Sequence, residues 1–369
     1  LYRNFFDPYA REWKAGNSRW DLIDVVRMTH ALRPEGVIWP TREDGSTSFK
    51  LEELTKANGI SHESAHDALS DVYATIALAQ LIKQKQPKLY SWGLGLRDKK
   101  KAAANLDLNK HTPVVHVSSK YPASQDCLAV VMPVAMHPVN KNAVLVFDLS
   151  TSPQALINLT AEQIHQRLYT ARDNLPEGES RIALKAVHLN KTPMLAPLNT
   201  LTPEIKEKLT IDLGVVERNR QAIIRADIAA KLSSVFAIND FDEPNDPDLM
   251  LYSGGFFSYS DVNNMEQIRN CTEASLAELS LPFQDARLED MLFRYRARNY
   301  PSSLSSDEKE EWREHRQAFL NNKHGDNRLS LVNYFAKIDE LLSDEGCTPQ
   351  QRDILNKLTL YGQQLSSTL

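Results

Sequence analysis

The chain has 369 residues, of which 42% are hydrophobic and 25% are charged. This composition excludes a disordered, collagenous or membrane-spanning protein, and the length exceeds what one hydrophobic core usually organises. Cys127, Cys271 and Cys347 are too scattered for a disulfide framework or a C-x-x-C zinc site, which predicts a reducing, cytoplasmic location. No apolar stretch approaches the roughly 18 residues that a transmembrane helix needs, and the first residues lack the pattern of an export signal.

The charge of the chain is uneven along its length. Residues 1–110 contain 17 Lys and Arg against 14 Asp and Glu, whereas the remaining residues contain 26 against 34. The net charge of −5 does not exclude a nucleic-acid partner, because phosphate contacts depend on local clusters of cations. The densest clusters are residues 97–101 and the run Arg294, Arg296 and Arg298. Each cluster is equally compatible with a solvated surface.

The first 86 residues have the pattern of helices separated by turns. Apolar residues recur at helical spacing from Leu22 to Leu32, and further helices are predicted over residues 51–57 and 67–85. No convincing central strand accompanies these helices, which are typical of the outer layer of an α/β domain. The chain also lacks an initiator Met. We expect it to begin inside a longer chain, with the missing sheet upstream.

The hydrophobic period changes near residue 110. Short β-branched runs bounded by Pro, Asn and Asp predict a small antiparallel sheet or barrel. These runs cover residues 113–117, 128–135, 143–149 and 182–189. An acidic segment with two prolines at 239–247 is predicted to be a linker, after which the sequence is nearly all helical. We therefore predict three domains, formed by residues 1–86, 87–240 and 241–369.

One short segment, residues 66–71, suggests a chemistry. His66 is predicted to lie in the turn before a helix and Asp71 in its first turns, because five residues along one helix advance about 500° and would separate the two side chains. A histidine that accepts a proton from water, beside a carboxylate that binds Mg²⁺, suits phosphodiester hydrolysis. Ala68 would leave room for the substrate. A capping histidine with a solvent-facing aspartate is the structural alternative.

The sequence around this segment resembles a known family. Residues 48–60 and 66–71 are similar to the third motif region of the DEDDh-type 3′→5′ exonucleases. More specifically, residues 1 to about 312 resemble the exonuclease I family of bacterial single-strand-specific exodeoxyribonucleases. The segments that carry this resemblance are 3–9, 17–22, 31–36, 54–60 and 295–301.

The resemblance implies an α/β plus β plus α multidomain architecture. It consists of the C-terminal part of an RNase H-like exonuclease domain, an SH3-like barrel domain and a helical C-terminal domain, which together enclose single-stranded DNA. The resemblance also implies a Mg²⁺-dependent 3′→5′ exonuclease that releases 5′-mononucleotides in DNA repair and recombination. By this resemblance His66 is the general base, and Asp71 binds one of two Mg²⁺ ions.

Two motifs of the family have no counterpart in the chain. These are the D-x-E pair of the first motif and the aspartate of the second, and we expect both to lie upstream of Leu1. A two-metal site needs several carboxylates, of which the chain supplies Asp71. The alternative function is therefore a non-catalytic fragment that binds single-stranded DNA and a partner without cleaving the strand.

Single strands bind in basic grooves that also carry aromatic side chains on which bases stack. Tyr9 and Trp13 are predicted to be exposed because their neighbours are polar, although core packing is the default for any aromatic residue. Lys50 occupies the position at which family members commonly carry an Arg that contacts the substrate. The other predicted DNA contacts are Arg19, Arg27, Ala68, Trp92, Lys99, Arg296 and Arg298.

The resemblance also implies a protein partner, the acidic C-terminal tail of the single-stranded-DNA-binding protein. Arg33 and, as a looser match, Arg225 are the residues predicted to hold this tail, because a carboxylate suits an arginine fork. Without the family, Arg33 before Pro34 is a cation at the end of a helix. We expect a monomer without membrane contacts.

Overall fold

The computed structural model describes residues 1–61, 68–238, 244–322 and 329–368. Contacts within the chain define two units. The sheet unit comprises Arg11–Phe241, and the helical unit combines Leu1–Ala10 with Asp242–Leu369. The predicted domain boundaries after residues 86 and 240 remain a prediction. In the described ranges, no helix has both the length and the apolar character that a membrane span requires.

The sheet unit contains one antiparallel sheet and a series of mostly short helices. The helices before the sheet are α1 (Ala10–Trp13), α2 (Leu22–Leu32), α3 (Leu51–Ala57), α4 (Ala68–Lys85), α5 (Pro87–Gly95) and α6 (Lys99–Ala104). The strands are β1 (Val114–Val117), β2 (Leu128–Met136), β3 (Ala143–Asp148), β4 (Leu184–His188) and β5 (Met194–Pro197). The helices that follow β3 or β5 in the sequence are α7 (Gln154–Asn158), α8 (Ala161–Tyr169), α9 (Pro203–Lys208), α10 (Leu213–Ala226) and α11 (Ala229–Ala237).

The sheet has the strand order β4-β3-β2-β1-β5, and each strand is antiparallel to its neighbours. Both faces are buried, which explains why β2 and β3 are almost continuous apolar runs and why β1 is apolar except for His116. One face, with Val115, Met132 and Phe147, packs in a core shared with α2 and α4. The other face, with Val131 and Val146, packs in a core shared with α6.

Most of the predicted elements of the sheet unit are confirmed. Helices α2, α3 and α4 correspond to the three predicted helices, and β1 to β4 correspond to the four predicted strands. The pattern missed β5, a four-residue strand that ends at Pro197 and pairs with β1. It also did not indicate the register shift between Pro133 and Ala135 of β2, where proline lacks the N–H of a regular ladder.

The helical unit has its own core. Phe5 is fully buried and lies edge-on to Tyr295, with ring centroids 5.2 Å apart. Residues 1–10 therefore pack with the C-terminal helices, a placement that the helical pattern of the sequence did not indicate. The helices of this unit are α12 (Tyr259–Asn270), α13 (Glu273–Ala277), α14 (Arg287–Asn299), α15 (Ser306–Leu320), α16 (Leu331–Leu342) and α17 (Pro349–Ser367).

A buried arginine joins the first residues of the chain to the rest of the helical unit. Arg287 is 7% exposed and donates two hydrogen bonds to the Asp285 carboxylate, at 2.6 and 2.9 Å. It also donates to the carbonyl oxygens of Met250 and Gly255, at 3.1 and 3.2 Å, and to the hydroxyl of Tyr2 at 3.4 Å. All three guanidinium nitrogens are engaged, which offsets much of the cost of burying the charge.

A second buried polar group lies inside the sheet unit. His116 on β1 is 4% exposed, and its Nδ1 lies 2.8 Å from the hydroxyl of Tyr121. The Nζ of Lys185 on β4 lies 4.6 Å from the centroid of the Tyr121 ring. Burial, with a smaller contribution from Lys185, holds the pKa of His116 well below its usual value. Burial also lowers the pKa of Lys185 to about 8. The His116 imidazole is therefore neutral at pH 7.

In Gly254→Ala, the added methyl group would lie 1.7 Å from Nη1 of Arg287. The guanidinium would have to leave its bonds to Met250 and Gly255, so we expect the helical unit to lose about 2 to 4 kcal/mol of unfolding free energy. Urea denaturation followed by circular dichroism measures this loss. Gly95→Ala in α5 is the control, because no atom lies within 4 Å of its added methyl group. Equal stability of the two variants would contradict the role given to Arg287.

Below pH 6.5, the usual pKa of histidine, unfolded His116 binds a proton that the folded residue does not bind. The unfolding free energy therefore includes the full contribution of neutral His116 above that pH. As the pH falls below it, this contribution is lost by up to about 1.4 kcal/mol per pH unit. We expect His116→Gln to have a flatter dependence of unfolding free energy on pH than the unsubstituted chain. Urea denaturation between about pH 7.5 and 5.5 measures both slopes. Parallel profiles would refute a neutral, buried imidazole.

Candidate nucleic-acid interface

Asp71 lies in the first turn of α4 and is half-buried. Helical spacing places it on the same stripe as Ala74, Leu78 and Ile82, which are all buried. Asp71 therefore stands at the N-terminal end of the face by which α4 packs on the core. Ala68, the residue predicted to leave room for substrate, is exposed at the first position of this helix.

Only part of the predicted metal site around Asp71 lies in the described residues. His66 lies outside the described residues, so its convergence with Asp71 remains a prediction. A carboxylate oxygen is the ligand type that Mg²⁺ prefers, so Asp71 fits one position of a metal site. Within residues 1–61, 68–238, 244–322 and 329–368, no group of three or more His, Cys, Asp or Glu side chains is arranged to hold a metal ion. The described residues therefore do not complete the set.

Three of the predicted DNA-binding cations are exposed. Lys50 precedes α3, and its Nζ lies 3.4 Å from the Glu53 carboxylate, with 65% of the side chain exposed. The Nη1 of Arg19 lies 3.7 Å from the Glu12 carboxylate, with 59% of the side chain exposed. Lys99 is exposed at the first position of α6. Exposed ion pairs of this kind are weak, so phosphate oxygens can compete with the two carboxylates.

The two predicted aromatic platforms differ in exposure. Trp13 is 59% exposed, as predicted, and the Nζ of Lys14 lies 5.6 Å from its ring centroid. Tyr9, which belongs to the helical unit, is half-buried, so the prediction of an exposed side chain is wrong for this residue. Its hydroxyl shares a hydrogen bond with the hydroxyl of Tyr252, and the two ring centroids are 6.3 Å apart. Trp13 is thus the more accessible of the two rings.

The helical unit exposes further aromatic rings that the sequence analysis did not single out. Tyr252 is 83% exposed and Tyr259 is 93% exposed, and the Phe256 side chain between them is fully exposed. Large apolar side chains in such positions commonly mark a binding surface. A signal was available in the sequence, because residues 252–259 combine four aromatic residues with Gly and Ser.

Two predicted DNA contacts are engaged inside the sheet unit. Arg27 is 15% exposed in its side chain and pairs with Asp24 at 2.7 Å, while its guanidinium lies 5.8 Å from the centroid of the Phe49 ring. Trp92 donates a hydrogen bond from Nε1 to the carbonyl oxygen of Leu195 at 2.7 Å, although the side chain is still 41% exposed. The Arg27 side chain is thus largely buried between Asp24 and Phe49. The Trp92 ring is held by one hydrogen bond but remains partly accessible to solvent.

The arginine run of α14 braces the helical unit. Arg296 is 12% exposed in its side chain and donates to both carboxylate oxygens of Glu308, at 2.6 and 3.1 Å. Arg298 donates to the Asp248 carboxylate and to the carbonyl oxygen of Arg3, both at 2.9 Å. The alternative of a solvated surface is therefore wrong for this run, because its side chains are largely buried against carboxylates. A DNA contact by Arg296 or Arg298 remains a prediction.

The two arginines predicted to hold a partner peptide are both in the sheet unit. Arg33 is half-buried at the end of α2, and its Nη1 donates to the carbonyl oxygens of Leu32 and Thr200, the second at 3.1 Å. Arg225 is exposed near the end of α10, and its Nε donates to the carbonyl oxygen of Gln221 at 3.2 Å. None of these three hydrogen bonds goes to a carboxylate, so these partners neutralise neither charge.

Comparison with known proteins identifies the family. Residues 97–238 match the Exonuclease I SH3-like domain, and residues 245–365 match the Exonuclease I C-terminal domain. The exodeoxyribonuclease I of Haemophilus influenzae is 41% identical over 366 residues, which are 98% of this chain and 76% of that protein. The exodeoxyribonuclease I of Escherichia coli is 43% identical over 325 residues, which are 86% of this chain and 67% of that protein.

Solved structures agree with this result. Exonuclease I from Methylocaldum szegediense is 44% identical and superposes with a TM-score of 0.90 over 99% of this chain and 76% of its own. E. coli exonuclease I in complex with a dA16 oligonucleotide also has a TM-score of 0.90, at 39% identity and the same coverage. Similar structures include a zinc-bound E. coli ExoI complex with single-stranded DNA and an ExoI/SSB-Ct complex. The chain therefore has the multidomain exonuclease I fold and belongs to the exonuclease I family.

Proposed function

We propose that the chain acts on single-stranded DNA as a Mg²⁺-dependent 3′→5′ exonuclease that releases 5′-mononucleotides. The observation that carries this proposal is the superposition of nearly the whole chain on an exonuclease I bound to an oligonucleotide. We also propose a role in DNA repair and recombination, which the resemblance to this family implies. The three cysteines are free, which supports a reducing compartment such as the cytoplasm.

The exposed side chains suit a single strand. Phosphate oxygens accept hydrogen bonds from exposed cations, and unpaired bases stack on aromatic rings. Lys50 and Arg19 are proposed to contact phosphates, and Trp13 is proposed to stack on a base. Tyr252 and Phe256 of the helical unit are additional candidates for stacking, because their side chains are open to solvent.

Asp71 and His66 are proposed to serve the chemical step. Asp71 would hold Mg²⁺ through its carboxylate at the start of α4, and His66 would take the proton from the attacking water. When bound, the metal supplies charge stabilisation at the scissile phosphodiester. The small side chain of Ala68 at the first position of α4 would keep the approach to this carboxylate open.

A second candidate function is a module that binds single-stranded DNA and a partner without cleaving the strand. It is favoured by the composition of the site, because Asp71 is the one predicted metal ligand in the described part of the chain. Such a module would bind DNA through the same exposed cations and aromatic rings. It would differ from the exonuclease only in that it does not cleave the strand.

We also propose that the protein acts as a monomer and binds the acidic C-terminal tail of a single-stranded-DNA-binding protein. A terminal carboxylate accepts two hydrogen bonds from a guanidinium fork. Arg33 and Arg225 are proposed to supply such forks, because the hydrogen bonds described for them go to backbone carbonyl oxygens. The complex of a similar ExoI with SSB-Ct supports this partner.

We expect Asp71→Asn to abolish Mg²⁺-dependent cleavage while sparing DNA affinity, because the amide keeps the shape of the side chain and removes its charge. Release of mononucleotides from single-stranded DNA measures the first effect, and fluorescence anisotropy in EDTA measures the second. Asp21→Asn is the matched control, because asparagine caps α2 as well as aspartate does. Unchanged turnover in Asp71→Asn would refute the metal role, and DNA binding without turnover in the unsubstituted chain would favour the second candidate.

Trp13→Ala is expected to cost about 1 to 3 kcal/mol of affinity for single-stranded DNA, the usual loss when one stacked base loses its platform. A similar loss is expected for Tyr9→Ala if its half-buried ring also stacks. Tyr169→Ala is the control, because Tyr169 is 55% exposed and is not among the predicted contacts. If Trp13→Ala binds single-stranded DNA as tightly as Tyr169→Ala does, Trp13 does not stack on a base.

A further inference from the structure

Two tyrosine rings from distant parts of the sequence meet on the surface of the helical unit. Tyr9 and Tyr252 are 243 positions apart, and their hydroxyl groups share a hydrogen bond. Their ring centroids are 6.3 Å apart, with an angle of 50° between the ring planes. Tyr252 is 83% exposed and Tyr9 is half-buried, so the pair is open to small reagents in solution. The hydroxyl-bearing ends of the two rings are therefore held together at an accessible place.

The backbone that carries Tyr9 is anchored to the helical unit. The N–H of Tyr9 donates to the Oδ1 of Asp7 at 2.8 Å, and the N–H of Ala10 donates to the carbonyl oxygen of Asp7 at 3.3 Å. Earlier in the same segment, the Phe5 side chain is fully buried, and its carbonyl oxygen accepts a hydrogen bond from Arg269. Tyr9 therefore lies in a segment whose path is fixed on both sides of the ring.

The backbone that carries Tyr252 is anchored by the buried arginine of the unit. The carbonyl oxygens of Met250 and Gly255, on either side of Tyr252, accept hydrogen bonds from Arg287 at 3.1 and 3.2 Å. The N–H of Gly254 donates to the carbonyl oxygen of Met250 at 3.2 Å. Two groups held next to each other in this way react as neighbours rather than through random encounters, which raises the rate of a reaction between them.

Other tyrosines of the helical unit have only one of these two properties. The rings of Tyr295 and Tyr300 are also close, with centroids 5.7 Å apart, but Tyr295 is 7% exposed. Tyr259 is 93% exposed and belongs to neither pair. The pair formed by Tyr9 and Tyr252 combines proximity with exposure, which is what a reaction between two side chains and a reagent in solution requires.

We propose that Tyr9 and Tyr252 form a modification site, at which one-electron oxidants join the two rings in a dityrosine cross-link. Each phenol gives one electron to an oxidant and its hydroxyl proton to solvent, which leaves two tyrosyl radicals. The radicals form a carbon–carbon bond between one Cε atom of each ring, and the hydrogens on these two carbons move to the oxygens. Two oxidant molecules are thereby reduced by one electron each, and two protons are released. The new bond attaches residues 1–10 covalently to the segment 250–255.

The test oxidises the folded chain with persulfate and light-excited tris(bipyridine)ruthenium, which generate a one-electron oxidant. A low protein concentration limits reactions between chains. We expect dityrosine fluorescence in the band that migrates as a single chain on a denaturing gel, and mass spectrometry of the digested band to show Tyr9 joined to Tyr252. Tyr9→Phe and Tyr252→Phe are each expected to lose this cross-link, because phenylalanine has no hydroxyl proton to give up. Circular dichroism confirms that both variants are folded.

Tyr259→Phe is the matched control, because it removes an exposed tyrosine from the same unit and leaves the pair intact. This variant is expected to keep the cross-link. The unsubstituted chain oxidised in urea is expected to lose it, because 243 positions separate the two residues once the fold is gone. Three results would overturn the proposal: no Tyr9–Tyr252 product in the folded chain, the same yield of this product in urea, or dityrosine that joins separate chains only.

Discussion

Burial of both faces of the five-stranded sheet is the constraint on which the sheet unit depends. The central strands are apolar on both sides, so helices have to cover each face. The core of one face includes α2 and α4, which places Asp71 and Arg33 at helix ends. The core of the other face includes α6, which places Lys99 beside the turns of the sheet. The polar groups proposed to hold the metal, the partner peptide and DNA therefore lie at the ends of helices whose middles are fixed by packing.

The helical unit uses its cations differently. Arg287, Arg296 and Arg298 bind carboxylates or backbone carbonyl oxygens inside the unit, and two of them reach residues 1–10. A buried guanidinium is stable where its donors are satisfied. The side chains that this unit leaves open to solvent include the aromatic rings of Tyr252 and Phe256. Exposed aromatic rings thus occur in both units, whereas the exposed cations proposed to contact phosphates lie in the sheet unit.

The sequence predicted the helices and strands better than it predicted the contacts between them. Periodicity located α2 to α4 and β1 to β4, because the buried residues of these elements recur along the chain. It missed β5, a four-residue run that ends in Pro197, because a proline in so short a run argues against a strand. It also missed the packing of Phe5 with the C-terminal helices, which depends on distant residues. The spacing of His66 and Asp71 suggested a metal-binding role for Asp71, and the resemblance to the family made that role specific. The engagement of Arg296 could not be predicted either, because Glu308 lies 12 residues away on another helix.

The central claim is that this chain binds single-stranded DNA and shortens it from the 3′ end. The most direct measurement incubates the 369-residue chain with a 5′-labelled single-stranded oligonucleotide, in Mg²⁺ and in EDTA, and determines retention and products in the same samples. The account predicts retention of the strand in both conditions and a ladder of products shortened from the 3′ end in Mg²⁺ alone. An oligonucleotide that is not shortened in Mg²⁺, whether or not it is retained, would contradict it.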